Sequence, residues 1–547
     1  MSLYKNIKQI YCNLKYKNSK EEQEFINNYL KEFKDRYGDI LFEKSLHTID
    51  KTLLIYSNHN TTYSMNLESI IAKKIQLVYG WRVVFLCTIE TISLAKKICN
   101  DIYGFDNFIL IEDYMPFISI PELSEYLDMV DNAVALREIE HIKYNDIPIG
   151  VHSIASYSTT MPDATIILND NSRNKIKKIL KKSMRYVIAS KQIVEKYKPD
   201  LVISIEKGTV GTCELFYSAI NNNIDYIQYS SCHEPDSVML KRYNKQNKRM
   251  HPFSVSDKNW DGIKYKEYMA PKVREYFKNG YKKGDWFKYK NLSANKRIVE
   301  KDELVKILKL DKRKKNVIIF SHILNDANFF YGKDIFEGGF RDWLVKTVEV
   351  ASKNDKVNWL IKLHPANVFR RENQGYTGEF GEIIAIKEYL GEVPKNIKII
   401  PADIDINPYS FFMLADYGIT VRGTVGAELP CFGIPVLTAG SGRYSNKGFT
   451  IDSETKEEYL KKVQNIDLLK KLSSEQINLA NKHAYLFFKY RPTKYDGFIK
   501  DNYSGKKSVI IKRDVEVVDD HIWDNESLKN IVSFFIESSE DDYLNAD

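Results

Sequence analysis

Short apolar runs alternate with amphipathic segments of helix length along the first half of the chain. The runs are at 51–58, 82–89, 107–113, 164–170, 200–206 and 225–231. A regular alternation of apolar strands and helices is typical of βαβ units built around a parallel sheet. The pattern therefore predicts an α/β domain with a strand at each of these six runs.

The same alternation begins again after a charged, turn-rich stretch at 264–312. Apolar runs at 316–323, 358–365, 396–403, 416–423 and 434–440 predict five more strands, and 340–354 predicts a helix. Two doubly wound units joined by a crossover bind their ligands in the cleft between them. The pattern predicts an α/β fold of the GT-B type, with two Rossmann-like doubly wound domains facing a cleft.

The length of the chain also favours two domains. Its 547 residues exceed the ~250–300 at which a single core stops growing. We expect an N-terminal acceptor-binding domain at 1–290, a linker at 291–312 and a C-terminal nucleotide-sugar-binding domain at 313–490. Residues 491–547 are expected to cross back towards the first domain and to end in an acidic tail.

Composition narrows the class of partner and the compartment. The net charge of +8 is too low for a dedicated nucleic-acid binder, so no nucleic-acid partner is expected. The six cysteines are scattered, and neither a signal-peptide pattern nor a run of ~18 apolar residues occurs. These features predict a cytoplasmic protein.

The segment 173–198 is strongly basic and has apolar residues at helical spacing. One interpretation is a domain helix with a solvated lysine face. The other is a basic surface at 173–192 that touches anionic lipid, peripherally at the inner face of the plasma membrane, where a lipid-linked acceptor would lie.

The most specific motif is a strand followed by a glycine-flanked turn and a helix. Its residues are Arg422, Gly423, Thr424, Val425, Gly426 and Glu428. Backbone N–H groups at a helix start, with the Thr424 hydroxyl, form a site for phosphate, and the glycines let the ligand approach the backbone. Glu428, about one turn further on, is expected to accept hydrogen bonds from ribose hydroxyls.

A second motif, Lys362-Leu363-His364-Pro365, ends a predicted strand. The carboxyl end of a strand in such a sheet faces the ligand crevice. Pro365 stops the strand and fixes how His364 presents its ring. We expect His364 to donate to the departing phosphate and to stabilise its developing charge.

With these two motifs, the stretch of about 315–490 resembles the capsule polysaccharide biosynthesis glycosyltransferases, a group that includes Kdo transferases. The resemblance rests on NVIIFSHILNDA, WLIKLHP and TVRGTVGAELPCFGIPVLTAGSGRYSNKGFT. It implies that His364 and residues 422–428 bind the donor nucleotide and phosphate. It also places Ser321, His322, Asn325 and Ser441 in the same cleft and favours a CMP-activated acid sugar, with UDP- or GDP-sugars as alternatives.

The first half matches no family pattern, so the acceptor and the general base are less defined. Glu206 follows a predicted strand and is the first candidate for the base that takes the proton of an acceptor hydroxyl. The other acceptor-side candidates are Asp163, His233, Glu234 and His251. A base-assisted reaction fits an inverting course.

Several signatures are absent from the sequence. There is no P-loop, no HExxH and no DxD in the setting of a metal-dependent enzyme. We therefore expect neither a cofactor nor an obligatory metal, and a nucleotide sugar as substrate.

The sequence thus predicts a metal-independent glycosyltransferase that extends a surface polysaccharide or glycan. The alternatives are a CDP-polyol phosphotransferase of the teichoic-acid type, a sugar-nucleotide epimerase with the same fold, and a non-catalytic scaffold of a polysaccharide assembly complex.

Overall fold

The computed structural model describes residues 20–43, 48–161, 166–234, 237–283, 296–324, 326, 329–368, 377–494, 496–497 and 515–545. Within these residues, twelve strands form two sheets. In chain order they are β1 (Thr52–Ser57), β2 (Arg82–Cys87), β3 (Phe108–Leu110), β4 (Leu201–Ser204), β5 (Asp225–Ser231), β6 (Ser237–Tyr243), β7 (Asn316–Phe320), β8 (Asn358–Lys362), β9 (Ile397–Ile400), β10 (Tyr417–Thr420), β11 (Val436–Thr438) and β12 (Thr493–Lys494).

The first sheet has the order β12-β6-β5-β4-β1-β2-β3. The strands β3, β2, β1, β4 and β5 are parallel, while β6 and β12 are antiparallel to their neighbours. β1 and β4 are buried along their whole length, as expected for parallel strands that are covered on both faces. The strand order reverses between β1 and β4, which opens a crevice at their carboxyl ends.

The second sheet has the order β11-β10-β7-β8-β9, and all of its pairs are parallel. Its strand order therefore reverses between β7 and β10. Both sheets share the doubly wound order of a Rossmann-like domain. The predicted fold class, an α/β protein with two such units in the GT-B arrangement, is confirmed.

Helices cover both sheets. Those of the first half are Lys20–Leu41, Thr62–Tyr79, Ile92–Ala95, Ile120–Asn132, Leu136–Glu140, Ile149–Ser158, Asp170–Tyr197, Cys213–Asn221, Asp257–Gly262 and Met269–Lys283. Those of the second half are Lys301–Ile307, Gly339–Ala351, Gly381–Leu390, Pro408–Leu414, Val425–Glu428, Lys456–Gln464, Ser474–Tyr485 and Glu526–Ile536. The predicted helix at 340–354 is Gly339–Ala351 in the structure.

One predicted strand, 164–170, is wrong. Ile166–Leu168 form no strand, and Asn169 caps the long helix Asp170–Tyr197. The Asn169 side chain accepts a hydrogen bond from the Ser172 amide at 3.0 Å, and the Ser172 hydroxyl accepts one from the Asn169 amide at 2.9 Å. This reciprocal cap begins a helix where the apolar run alone suggested a strand.

The basic segment lies on that helix. Ile176, Leu180 and Met184 are buried against the first sheet's core, and Lys178 and Lys181 are exposed. The helix is therefore amphipathic, as predicted, and contact of its basic face with lipid stays a prediction. In the part of the chain that the structure describes, no helix is long and apolar enough to span a membrane.

The C-terminal segment packs against the first sheet. β12 pairs with β6. The last helix, Glu526–Ile536, packs into the hydrophobic core on one face of the first sheet through Leu528, Ile531 and Phe535. Buried Asp542 forms ion pairs with Lys241 at 2.7 Å and with Arg491 at 3.0 Å. Residues 515–545 thus pack against the first sheet, and the predicted domain boundaries stay a prediction.

Candidate functional site

A cavity of about 220 Å³ lies where the carboxyl ends of β7, β8 and β10 meet elements of the first half. Its walls are His233, Phe253, Tyr281, Phe320, Ser321, His322, Lys362, Leu363, His364, Pro365, Pro408, Phe411, Phe412, Thr420, Gly423, Thr424, Val425, Glu428, Arg443, Phe487 and Phe488. The position coincides with the reversal of strand order between β7 and β10. This is where open α/β sheets bind their ligands. We call it the nucleotide cavity, after the ligand that we propose for it below.

His364 follows β8 and presents a defined ring edge. The Ala366 amide donates to its Nδ1 at 3.2 Å, so the proton of the neutral ring lies on Nε2. The loop is held by buried Glu382, whose carboxylate accepts from the Asn367 side chain at 2.7 Å and from the Ser321 hydroxyl at 3.1 Å. Burial raises the pKa of Glu382. His364 is thus oriented by its own loop as a hydrogen-bond donor.

His322 follows β7 and has the opposite tautomer. Its Nε2 accepts from the Val421 and Arg422 amides at 3.2 and 3.3 Å, and its ring stacks on Phe340 with centroids 4.2 Å apart. Burial first, and then the neighbouring His364 ring, hold the pKa of His322 well below its usual range. The ring is therefore neutral, and the proton lies on Nδ1.

The helix that follows the glycine-rich turn after β10 is short. Thr424 starts the helix Val425–Glu428, which has only four residues. The amides of Gly426 and Ala427 donate to the carbonyls of Gly423 and Thr424 at 3.0 and 2.8 Å. A helix this short has a small dipole, so an anion here would depend mainly on local N–H groups and on side chains.

The two glycines of this turn have different surroundings. A Cβ at Gly423 would lie 2.9 Å from the Thr420 hydroxyl and 3.7 Å from the His322 ring, on the cavity side. A Cβ at Gly426 would lie 2.0 Å from the Tyr444 hydroxyl. Gly426 therefore makes room for Tyr444, and the expectation that it lets a ligand approach is not what its surroundings show.

Glu428 is fully buried at the wall of the nucleotide cavity. Tyr281, from the helix Met269–Lys283, donates to its Oε2 at 2.6 Å, and Thr424 also contacts the carboxylate. Burial raises the pKa of Glu428 to about 7. The Glu428 carboxylate can accept hydrogen bonds from a ligand when the Tyr281 hydroxyl moves away from Oε2.

Three residues of the predicted nucleotide and phosphate site bond to neighbouring protein groups. Lys362 Nζ donates to the Leu363 and Pro401 carbonyls at 3.2 and 3.1 Å, and burial lowers its pKa to about 7. Arg422 donates to the Ser441 carbonyl at 2.9 Å and pairs with Asp334 at 2.5 Å.

The third of these groups, the Ser441 hydroxyl, accepts from the Lys333 amide at 2.6 Å. All three residues hold loops around the site, and a direct phosphate contact for each stays a prediction.

The acceptor-side candidates are spread over several environments. Glu206 Oε1 accepts hydrogen bonds from the Lys207 and Gly208 amides, each at 2.8 Å. Glu206 lines neither the nucleotide cavity nor a second cavity that adjoins it through Arg443. Glu234 accepts a hydrogen bond from the Tyr276 hydroxyl. Asp163 and Asn325 lie outside the described residues.

Two histidines of the first half do reach the cleft. His233 lines the nucleotide cavity and stacks on Phe487, with centroids 5.8 Å apart; burial lowers its pKa to about 3. His251 lines an adjoining cavity and lies 3.2 Å from Arg443.

Sequence reasoning missed Tyr281, Glu382 and Arg443. Arg443 lies in the loop after β11, close to Ser441, which was predicted to line the cleft. Its position in that loop could have marked it as a cleft residue. Tyr281 gave no signal, since it lies 147 residues from Glu428. Among the described residues, no group of three His, Cys, Asp or Glu side chains could hold a metal ion.

Two doubly wound sheets with a cavity at the switch point define the GT-B class of architecture. No family model and no curated protein matches the sequence. Similar solved structures include KpsC, a beta Kdo 2,4 transferase from Thermosulfurimonas dismutans, at 14% identity and a TM-score of 0.34, covering 60% of this chain and 87% of that chain.

Two further structures are similar at lower TM-scores. A glycosyltransferase from Rickettsia africae has 11% identity and a TM-score of 0.25, covering 89% of this chain and 99% of that one. A UDP-GlcNAc 2-epimerase from Neisseria meningitidis bound to UDP-GlcNAc has 14% identity and a TM-score of 0.20, covering 80% and 92%. Similarity at this level supports no function, and the fold class rests on the two sheets themselves.

Proposed function

We propose that the chain is a glycosyltransferase that transfers a sugar from a nucleotide-activated donor to a glycan acceptor. The observation that carries the proposal is the nucleotide cavity, whose lining combines aromatic side chains with two oriented histidines. Phe320, Phe411 and Phe412 offer apolar surface to a nucleobase. His322 and His364 offer hydrogen-bond donors to phosphate oxygens.

The ribose would lie between these two groups. Its hydroxyls can donate to Glu428 in place of the Tyr281 hydroxyl, which occupies Oε2 at 2.6 Å. The Tyr281 hydroxyl therefore occupies the acceptor oxygen that we propose for a ribose hydroxyl. Binding of a nucleotide would exchange one hydrogen bond for another and leave the buried carboxylate satisfied.

The leaving phosphate would be stabilised by neutral donors. His364 donates through Nε2 and His322 through Nδ1, and both tautomers are fixed by backbone amides. Donors that are already oriented need no reorganisation as negative charge develops on the leaving oxygen. A site that stabilises the leaving phosphate without a metal requires this chemistry of the chain's own residues.

The acceptor hydroxyl would approach from the first sheet's side. Glu206 is the proposed base, with its second carboxylate oxygen left to take the proton, and an inverting course follows from that scheme. Because Glu206 lines neither cavity, closure of the cleft is needed to bring it to the reacting hydroxyl. The resemblance favours a CMP-sugar, ahead of UDP- or GDP-sugars, and a surface polysaccharide or lipid-linked acceptor.

The proposal is tested by incubating the protein with CMP-, UDP- and GDP-sugars and with a CDP-polyol, each with a glycan acceptor mixture, then measuring free nucleotide and product mass. We expect nucleotide release that depends on acceptor, with one sugar added per event. A phosphate retained in the product would indicate the CDP-polyol phosphotransferase. Conversion of the donor without acceptor would indicate an epimerase, and no turnover of any donor would favour the scaffold.

The pH dependence of nucleotide binding tests the role of Glu428. Its pKa of about 7 lies above the ordinary value of 4.5, so its ionised form increases as pH rises from 6 to 8. Because ribose hydroxyls donate to the ionised carboxylate, we expect Glu428 to strengthen affinity several-fold over this interval, against the loss of positive charge at Lys362, whose pKa is also about 7. Calorimetric titration of the nucleotide at each pH measures it. Glu428→Gln should bind more weakly and lose this pH dependence; an unchanged profile would contradict the assignment.

A further inference from the structure

The crevice at the carboxyl ends of β1 and β4 contains polar side chains outside the nucleotide cavity. The loop that follows β1 has three of them in a row, Asn58, His59 and Asn60. The register pairs Tyr56 of β1 with Ser204 of β4, so this loop leaves the sheet beside the loop that carries Glu206. Loops at such a reversal of strand order are where open α/β sheets bind their ligands. None of these side chains lines the nucleotide cavity.

Two side chains of the loop have a polar atom without a partner. The Oδ1 atoms of Asn58 and Asn60 are buried and accept no hydrogen bond among the described residues. Exchanging the oxygen and the nitrogen of either amide would bury an unsatisfied donor in place of an unsatisfied acceptor. A buried polar atom without a partner is costly. Sugar hydroxyls both donate and accept, so a sugar bound in the crevice would satisfy these amides in either orientation.

His59 lies between the two amides and is open to solvent, and its ring makes no hydrogen bond among the described residues. The surrounding protein nevertheless lowers the pKa of His59 from its ordinary value of 6.5, and the negative charge of Glu206 acts in the opposite direction. An accessible side chain that is also surrounded by protein lines a concave site. The ring is neutral at pH 7, so it can accept a proton, and Glu206 would stabilise the charge that the ring gains.

Glu206 is held in its own turn. Its Oε1 accepts from the Lys207 and Gly208 amides, each at 2.8 Å, which fixes the carboxylate against the loop after β4. His59 has no such restraint and can turn towards a hydroxyl bound in the crevice. A histidine that takes the proton of a hydroxyl, with a carboxylate beside it to stabilise the imidazolium, is a recurring arrangement for activating oxygen nucleophiles.

We propose that the loop 58–60 binds the acceptor sugar and that His59, supported by Glu206, accepts the proton of the hydroxyl that is glycosylated. The inference rests on the proposed function and refines one step of it, because the proton goes to His59 and Glu206 stabilises the resulting charge. The hydroxyl oxygen forms its bond to the anomeric carbon as its proton moves to the His59 ring. The bond from that carbon to the nucleotide's phosphate oxygen breaks, and this oxygen keeps the electron pair. His59 then releases the proton to water.

The test measures sugar transfer by the full chain, with the donor and acceptor that the wild type uses. General base catalysis contributes about 10²–10⁴-fold, so we expect His59→Ala to lower kcat by about 100-fold or more. Added imidazole should restore part of the activity, because a small base can enter the space that the side chain leaves. The same substitution at exposed His521 should leave kcat unchanged and insensitive to imidazole.

Three further variants separate the roles within the crevice. Glu206→Gln should lower kcat less than His59→Ala, since it removes the supporting charge and leaves the base in place. Asn58→Ala and Asn60→Ala should raise KM for the acceptor several-fold, with a smaller effect on kcat. All of these variants should keep the wild-type response to nucleotide in thermal unfolding, because their side chains lie outside the nucleotide cavity. If His59→Ala does not fold, His59→Gln carries the comparison.

Wild-type activity in His59→Ala, or a loss that imidazole does not restore, would overturn the inference. A larger loss in Glu206→Gln than in His59→Ala would also overturn it, by assigning proton removal to Glu206 directly. In each of these cases the wild type still transfers sugar, so the proposed function stands while the inference fails. A wild type that transfers no sugar from any donor would remove both.

Discussion

Replacing His364 with alanine is expected to lower kcat for sugar transfer by about 10²–10³-fold, the usual effect of losing one oriented donor to a developing negative charge. The Ala366 amide fixes the proton on Nε2, so the ring is a dedicated donor towards the cavity. Because His364 lies at a loop and the core of the second sheet does not include it, the unfolding temperature should change little. Steady-state kinetics with the preferred donor measure the loss.

Two further variants separate donation from packing. His364→Gln keeps a side-chain N–H and should recover part of the activity, whereas His364→Phe keeps the bulk and should not. The same alanine substitution at exposed His521 should leave kcat unchanged. Full activity in His364→Ala would remove this residue from the mechanism.

Gly426→Ala is expected to lower the free energy of unfolding by about 2–3 kcal/mol, at the upper end of the range for overpacking. Its Cβ would lie 2.0 Å from the Tyr444 hydroxyl and 2.1 Å from the ring carbon that bears it. That hydroxyl donates to the Gly423 carbonyl at 2.8 Å, so moving Tyr444 also disturbs the turn that faces the ligand. Nucleotide affinity should fall together with stability.

The matched control is Gly262→Ala, where a Cβ would have no neighbour within 4 Å. Gly262 ends a helix, so alanine there should be neutral or slightly stabilising. Denaturant unfolding of both variants gives the comparison. Equal stability of the two alanine variants would show that the contact between Gly426 and Tyr444 is not as tight as the structure gives it.

Much of the fold could be predicted because its signals are local. The run at 358–365 became β8 with His364 directly after it, and 340–354 became the helix Gly339–Ala351. Apolar runs bounded by turn residues specify buried parallel strands well. The exception at 164–170 failed because the cap formed by Asn169 and Ser172 decides that segment, and periodicity does not contain that information.

The site could be predicted only in part, because its finer geometry depends on contacts between distant residues. Tyr281 reaches Glu428 across 147 residues, and Arg443 reaches His251 across 192. Neither pair has a sequence signal, since only packing of the two halves brings them together. The hydrogen bonds that Lys362 and Arg422 donate to backbone carbonyls could not be predicted for the same reason.

Nucleotide binding to the cavity between the two sheets can be measured by thermal unfolding with CMP, CDP, UDP, GDP and ADP, on the wild type and on His364→Ala. A ligand at about 100 times its dissociation constant adds about 2.7 kcal/mol of apparent stability. We predict that one nucleotide raises the unfolding temperature selectively and that the rise is reduced in His364→Ala. If no nucleotide shifts the wild type, the cavity does not bind nucleotides and the proposed glycosyltransferase function is wrong.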